Sequence, residues 1–241
     1  MLLDLAESLA CPRCGPPQGL IVLVESMDGR RITAGRLDCP SCEARFPQSQ
    51  GLIDFREISL RESSPEPDSD PGTPAASGEA DAVVAAALFG IREGRGLLVA
   101  GPGLGGAAAR IAELSGGCEV LHLEGRSSAS RKGPGGHEAG ADRDGAVTCL
   151  QGVSGDAIPL LSARALGIVL DTGGTREIDE AARILIHGGR LVILRPGSTA
   201  MALGGDPRFE VLARDERAFR ADRAGRGCRR AARGPRLGAT T

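Results

Sequence analysis

Four cysteines stand in two pairs of one form, Cys11-Pro12-Arg13-Cys14 and Cys39-Pro40-Ser41-Cys42. Two residues between paired cysteines let a single tight turn aim both thiolates at one ion, and zinc takes four such ligands in a tetrahedron at about 2.3 Å from each sulfur. Four cysteine ligands leave no open position, so the site is expected to be structural rather than catalytic. Against this stands the reading of free thiols or a redox pair. A second set of chemically capable residues begins with Gly101-Pro102-Gly103-Leu104-Gly105-Gly106. A glycine turn between a strand and a helix lets a cofactor approach the backbone. Glu124 follows 23 residues after Gly101, at the end of the next strand, where an acid can accept both hydroxyls of an adenosine ribose. Asp171 ends a later strand, where substrate-facing groups sit in open α/β sheets; it is a candidate catalytic residue to orient or deprotonate a nucleophile, or else a cap on the Thr172–Thr175 turn.

Regular elements must hold these residues. Leu2, Leu5, Ala6 and Leu9 follow a helical stripe. Leu20–Ser26 and Arg31–Asp38 read as a hairpin around Asp28-Gly29, with a cysteine pair at each end. Farther on, Val84, Ala87, Leu88 and Ile91 form another stripe. Gly96–Ala100, Cys118–Glu124, Ala146–Gln151, Leu166–Asp171 and Arg190–Arg195 read as short apolar strands. Helices through Ala108, Ile111 and Ala112 and through Ile178, Ala181, Ala182 and Leu185 lie between them. Helices alternating with such strands predict an α/β fold: a doubly wound, mostly parallel, Rossmann-like sheet, here preceded by a small zinc ribbon. Phe209–Leu212 and Ala218–Ala221 add an antiparallel pair. The expected organisation is a ribbon over residues 1–56, an acidic proline-rich linker over 57–79 without fixed structure, an α/β domain over 80–223 and a basic tail over 224–241.

Composition narrows the function. Of 241 residues, 41% are hydrophobic and 25% charged, and the formal net charge is −2, so a core can form and no whole-chain pull toward nucleic acid exists. Five Phe with no Trp or Tyr disfavour base stacking. The arginines of the tail offer phosphate contacts, although basic blocks are often merely solvated. No apolar run reaches the roughly 18 residues needed to span a bilayer. Met1-Leu2-Leu3-Asp4 lacks a basic n-region. A cytoplasmic chain with reduced thiols is expected, which favours metal over disulfides. His122 reads as a sheet residue, His187 as a helix-end residue before a Gly188 cap, and Cys118 and Cys149 as small core residues.

Two resemblances follow from these residues. Leu2-Leu3-Asp4-Leu5, the two knuckles, Phe46-Pro47 and Gly51-Leu52-Ile53-Asp54-Phe55 resemble the small zinc-ribbon proteins that activate tRNA, rRNA and protein methyltransferases. The likeness covers residues 1–56 and implies zinc on Cys11, Cys14, Cys39 and Cys42 and a protein partner docked on the ribbon. Asp156-Ala157-Ile158-Pro159 resembles the acid-then-proline segment that borders the adenine in class I methyltransferases. The run from Glu180 through Gly188-Gly189 to Ile193 is similar to that family's helix, double-glycine turn and fifth strand. This likeness spans about residues 84–222. It implies S-adenosyl-L-methionine as cofactor, with Gly101, Gly103 and Gly105 at its methionine end, Glu124 at the ribose and Asp156 at the adenine. Val99 stands where that family has an acid. Between Arg195 and Phe209 there is little room for its usual extra helix and substrate insert.

Three readings emerge. The first is an S-adenosylmethionine-dependent methyltransferase in which a substrate N, O or C attacks the sulfonium methyl in line, the protein supplying proximity and alignment. The second is a catalytically silent relative acting as a binding or activating partner. The third is an NAD(P)-dependent oxidoreductase, for which Gly101, Gly103 and Gly106 satisfy the dinucleotide pattern; the sequence lacks a Tyr-Lys or His-Asp catalytic pattern.

Overall fold

The computed structural model describes residues 1–56, 78–91, 96–124, 146–153, 157–215 and 218–225. Asp156, the segment 126–145, nearly all of the expected linker and of the basic tail, and with them His137 and Cys228, lie outside the described residues.

The N-terminal residues form a short helix α1 (Leu3–Ala6) and strands β1 (Ile21–Asp28), β2 (Arg31–Asp38), β3 (Arg45–Ser49) and β4 (Leu52–Asp54). The expected helix over residues 2–10 is thus only one turn. Leu9 remains in the core, but through a bridge to Leu160 that takes its backbone out of the helix. The α/β part follows as α2 (Gly78–Phe89), β5 (Leu97–Ala100), α3 (Gly105–Leu114), β6 (Glu119–Glu124), β7 (Ala146–Gln151), β8 (Ala165–Leu170), α4 (Thr175–Ile184), β9 (Leu185–Ile193), α5 (Ser198–Met201), β10 (Phe209–Arg214) and β11 (Phe219–Arg223).

All eleven strands join one sheet in the order β1-β2-β3-β4-β7-β6-β5-β8-β9-β11-β10. From β4 to β9 neighbouring strands run parallel, while both outer ends are antiparallel. The two faces are buried separately. On one, Leu98, Ala100, Val120, Val169 and Val192 meet α2 and α3. On the other, Val99, Leu121, Leu150, Ile168 and Leu191 meet α4 together with Leu5, Phe46 and Phe55 of the N-terminal residues. Helices on both faces of a largely parallel sheet are the doubly wound arrangement.

Helix α2 is rotated from its expected stripe. It buries Ala82, Ala85 and Phe89, whereas Val83 and Val84 are exposed. Small residues allow the closest approach to α3: a Cβ at Gly78 would come within 3.1 Å of the Gly106 backbone. The double glycine falls inside β9. Leu185 pairs with Ala165 and Arg190 with Gly167, so residues 186–189 loop out as a bulge. His187 lies in this bulge, past the end of α4, and faces the Ala224 carbonyl at 3.3 Å, so it does not cap the helix.

The N-terminal strands do not form a separate sheet. β4 pairs antiparallel with β3 on one side and parallel with β7 on the other, in the register Leu52↔Cys149, Ile53↔Leu150 and Asp54↔Gln151. Phe55 N–H extends the seam to Gln151 O at 3.0 Å. Buried Glu119 accepts from Leu2 N–H at 3.1 Å and from Thr148 Oγ1 at 2.8 Å. Gly152, at φ +79, ends the seam, and a Cβ there would stand 2.9 Å from Arg56 N. Gly152→Ala therefore meets both an unfavourable φ and a backbone clash. It is expected to cost about 1–3 kcal/mol, read as a lower midpoint in urea. An unchanged midpoint would mean that the seam yields freely.

Candidate functional site

The first site is built by two turns. Cys11 N–H donates to Gln18 O at 2.8 Å and Gly15 N–H to Cys11 O at 2.8 Å, closing the knuckle between α1 and β1. Between β2 and β3, Cys39 N–H donates to Ala44 O at 2.9 Å and Glu43 N–H to Cys39 O at 3.0 Å. Cys11 Sγ lies 3.7 Å from Cys42 Sγ, and Cys14 Sγ 3.8 Å from Cys39 Sγ. All four sulfurs lie within 4.8 Å of one another. A tetrahedron with zinc–sulfur bonds of about 2.3 Å has edges of about 3.8 Å, so the four cysteines fit that ion.

Backbone N–H groups of Cys14 and Arg13 point to the Cys11 sulfur, and those of Cys42 and Ser41 to the Cys39 sulfur. Such donors favour thiolates. Burial alone would raise the Cys39 thiol, but these donors and the thiols of Cys11 and Cys42 outweigh it and bring it down to about 7. Burial dominates at Cys11 and pushes it up to about 12.

The second site lies where the parallel strands end. β5 is buried throughout. It leads into the glycine turn, which Gly101 N–H anchors to Val169 O at 2.8 Å. Gly103 sits at φ +86, and no described residue lies within 4 Å of where its Cβ would be. A ligand therefore has room against the backbone here, and a side chain would both strain the turn and fill the space. Gly105 serves differently: a Cβ on it would come within 3.0 Å of His122 Cε1. Glu124 closes β6, half-buried, and accepts from Gln151 Nε2 at 2.8 Å. Val99 is wholly buried on the face opposite the glycine turn's helix.

Asp171 follows β8 directly and forms an ion pair with Arg195, which also holds Asp81 of α2 at 3.0 Å. Using this carboxylate as a base would require breaking that pair. The expected turn cap is supplied otherwise, since Glu177 accepts from Gly174 N–H at 2.7 Å. The segment after Asp156 is clamped from two sides. Arg183 of α4 donates to Ile158 O at 2.8 Å and to Leu160 O at 2.5 Å, and Ala10 N–H donates to Pro159 O at 2.9 Å.

Sequence reasoning missed a cluster beside Glu124. His122 is only 7% exposed, its Nδ1 is 3.9 Å from Cys149 Sγ, and its Nε2 has no partner among the described residues. Burial lowers the His122 pKa, so the ring is neutral, and burial followed by the Glu124 carboxylate raises the Cys149 thiol to about 11. A buried polar atom without a partner costs about 1–3 kcal/mol. The signal in the sequence is His-x-Glu at one strand end and Cys-x-Gln at the next, which is legible only once the two strands are in register.

No family model matches the chain, and no curated protein matches it in sequence. Among solved structures, geranyl diphosphate methyltransferase in complex with SAM aligns at 15% identity over 64% of this chain and 93% of that one, with a TM-score of 0.48. The SAM-dependent O-methyltransferase of Thermotoga maritima aligns at 14% identity over 79% and 78%, TM-score 0.46. Aeropyrum pernix fibrillarin in complex with natively bound S-adenosyl-L-methionine aligns at 14% identity over 84% and 99%, TM-score 0.41. At these values nothing about function passes from those proteins to this one. No helix among the described residues is long and apolar enough to cross a membrane.

Proposed function

We propose that the chain binds S-adenosyl-L-methionine at the glycine turn and acts as a methyltransferase, with a structural zinc on Cys11, Cys14, Cys39 and Cys42. The observation that carries this reading is the strand order around β5. The order β7-β6-β5-β8-β9 reverses direction between β5 and β8, and ligands of open α/β sheets bind in the crevice at such a switch point. The glycine turn lies at that place. The next strand out, β11, is antiparallel, which departs from the order 3-2-1-4-5-6 of the dinucleotide-binding fold and weighs against NAD(P).

In this reading the space at Gly103 admits the methionine end, Glu124 accepts the ribose hydroxyls, and Gln151 fixes the Glu124 carboxylate. When bound, the cofactor supplies an electrophilic methyl group. The chain's own contribution is to bind and orient. Asp156, at the adenine in the resembling family, keeps that role as a proposal, as do Asp171 as the substrate-side residue and the ribbon as the surface for a protein partner. The Asp171–Arg195 pair and the buried Val99 favour a second reading, a silent relative that binds or activates another protein.

Calorimetry separates the two. Weak binding of S-adenosylhomocysteine is expected, because a missing charge-assisted hydrogen bond at Val99, about 1.5–3 kcal/mol, weakens affinity roughly ten- to a hundredfold. Glu124→Ala and Gly103→Val should weaken it further. A folded wild-type chain silent at millimolar ligand would leave the partner reading, and binding of NAD alone would leave the oxidoreductase.

A further inference from the structure

The geometry points to a second cation site, distinct from the four cysteines: His122, Glu124 and Cys149 hold a zinc-class divalent ion at the C-terminal ends of β6 and β7. Alternate residues of a strand share a face. His122 pairs in register with Cys149 and Glu124 with Gln151, so all four side chains stand on the face covered by α3. The ligand atoms of His122, Glu124 and Cys149 lie within 4.8 Å of one another.

The buried polar atoms of the cluster point to an occupant. Among the described residues, His122 Nε2 is buried without a partner, in a ring that is 7% exposed, and Gln151 Oε1 beside it is likewise unpartnered. The Gln151 amide meanwhile donates to Glu124 Oε2 at 2.8 Å, which is how an outer partner orients a ligating carboxylate. Gly105 is bare where a Cβ would press on the imidazole, so the loop leaves the ring its place.

One nitrogen, one carboxylate oxygen and one thiolate form a donor set of borderline softness. It suits zinc, cobalt or copper rather than magnesium or calcium. Three protein ligands leave a fourth position for water or a ligand, unlike the closed four-cysteine site. Glu124 is shared with the proposed ribose contact, but the inference does not rest on cofactor binding.

The test loads the full-length protein with Zn2+ alone, removes excess ion and measures metal per chain. About two ions are expected for the wild type, and about one for Cys149→Ser and for Glu124→Gln, each folded by circular dichroism. Loading with Co2+ gives a second readout, since removal of Cys149 deletes the weaker, single-thiolate absorption and leaves the four-thiolate bands. One ion in the wild type, or two in both variants, overturns the site. S-adenosylhomocysteine binding by a wild-type chain that holds one ion would reject this inference and leave the proposed function standing.

Discussion

Cys39→Ser is expected to strip one zinc equivalent from the chain and to lower its unfolding transition by roughly 10–20 °C. The size follows from two magnitudes. A structural zinc contributes about 10–16 kcal/mol in isolated ribbon-sized peptides, comparable to the whole stability of a domain. If the variant loses only about 5 kcal/mol of this, a chain of this length shifts by about 2–4 °C for each. Cys118→Ser is the control. Its thiol is buried under α3, away from the knuckles, and its zinc should stay. Acid acts in the same direction as the mutation. Protons compete with the metal for the four thiolates, so resistance to a chelator should fall as the pH is lowered. A Cys39→Ser protein with wild-type zinc and an unchanged transition would remove the metal centre.

Phe55→Ala should destabilise the whole molecule by about 3–5 kcal/mol, the usual cost of deleting a buried aromatic. Phe55 is 1% exposed and meets Phe46 edge-on, ring centroids 4.8 Å apart. It lies just past β4, and its N–H donates to Gln151 O. Its hydrophobic cluster runs without a break from α1 and the hairpin strands to β5, β6 and α4. Urea denaturation followed by two probes, one reporting residues 1–56 and one the parallel strands, should show coincident transitions that move together. Two separate transitions, with only the lower one displaced, would mean that residues 1–56 fold as an independent unit.

Local patterns carried much of this structure in the sequence. The paired cysteines announce their own geometry because each knuckle needs only four consecutive residues. The parallel strands announce themselves as continuous apolar runs, and β7 begins and ends where its run does. The closing hairpin β10–β11 was legible instead from short runs in which apolar and charged residues alternate. What escaped depends on distant partners. β4 is three residues long and pairs with a strand far along the chain, so no propensity marks it. His122 and Cys149 are 27 residues apart, and their meeting depends on register. Helix α2 buries Ala82, Ala85 and Phe89 and leaves Val83 and Val84 outside, because close backbone approach to α3 at Gly78 and Gly106 sets its rotation.

The parallel pairing of β4 with β7 also sets an order of events during synthesis. Both knuckles are complete by Cys42, but β4 must wait for Cys149 to Gln151 to emerge. At about 5–20 residues per second, that interval lasts on the order of 5–20 s. During it, β4 is an open sheet edge on the nascent chain, its backbone groups toward β7 not yet paired, the kind of edge that recruits other chains. Early capture of zinc would hold the hairpin in register through this interval. Cells short of zinc should then accumulate aggregated nascent chains before any loss of the finished protein's stability is felt.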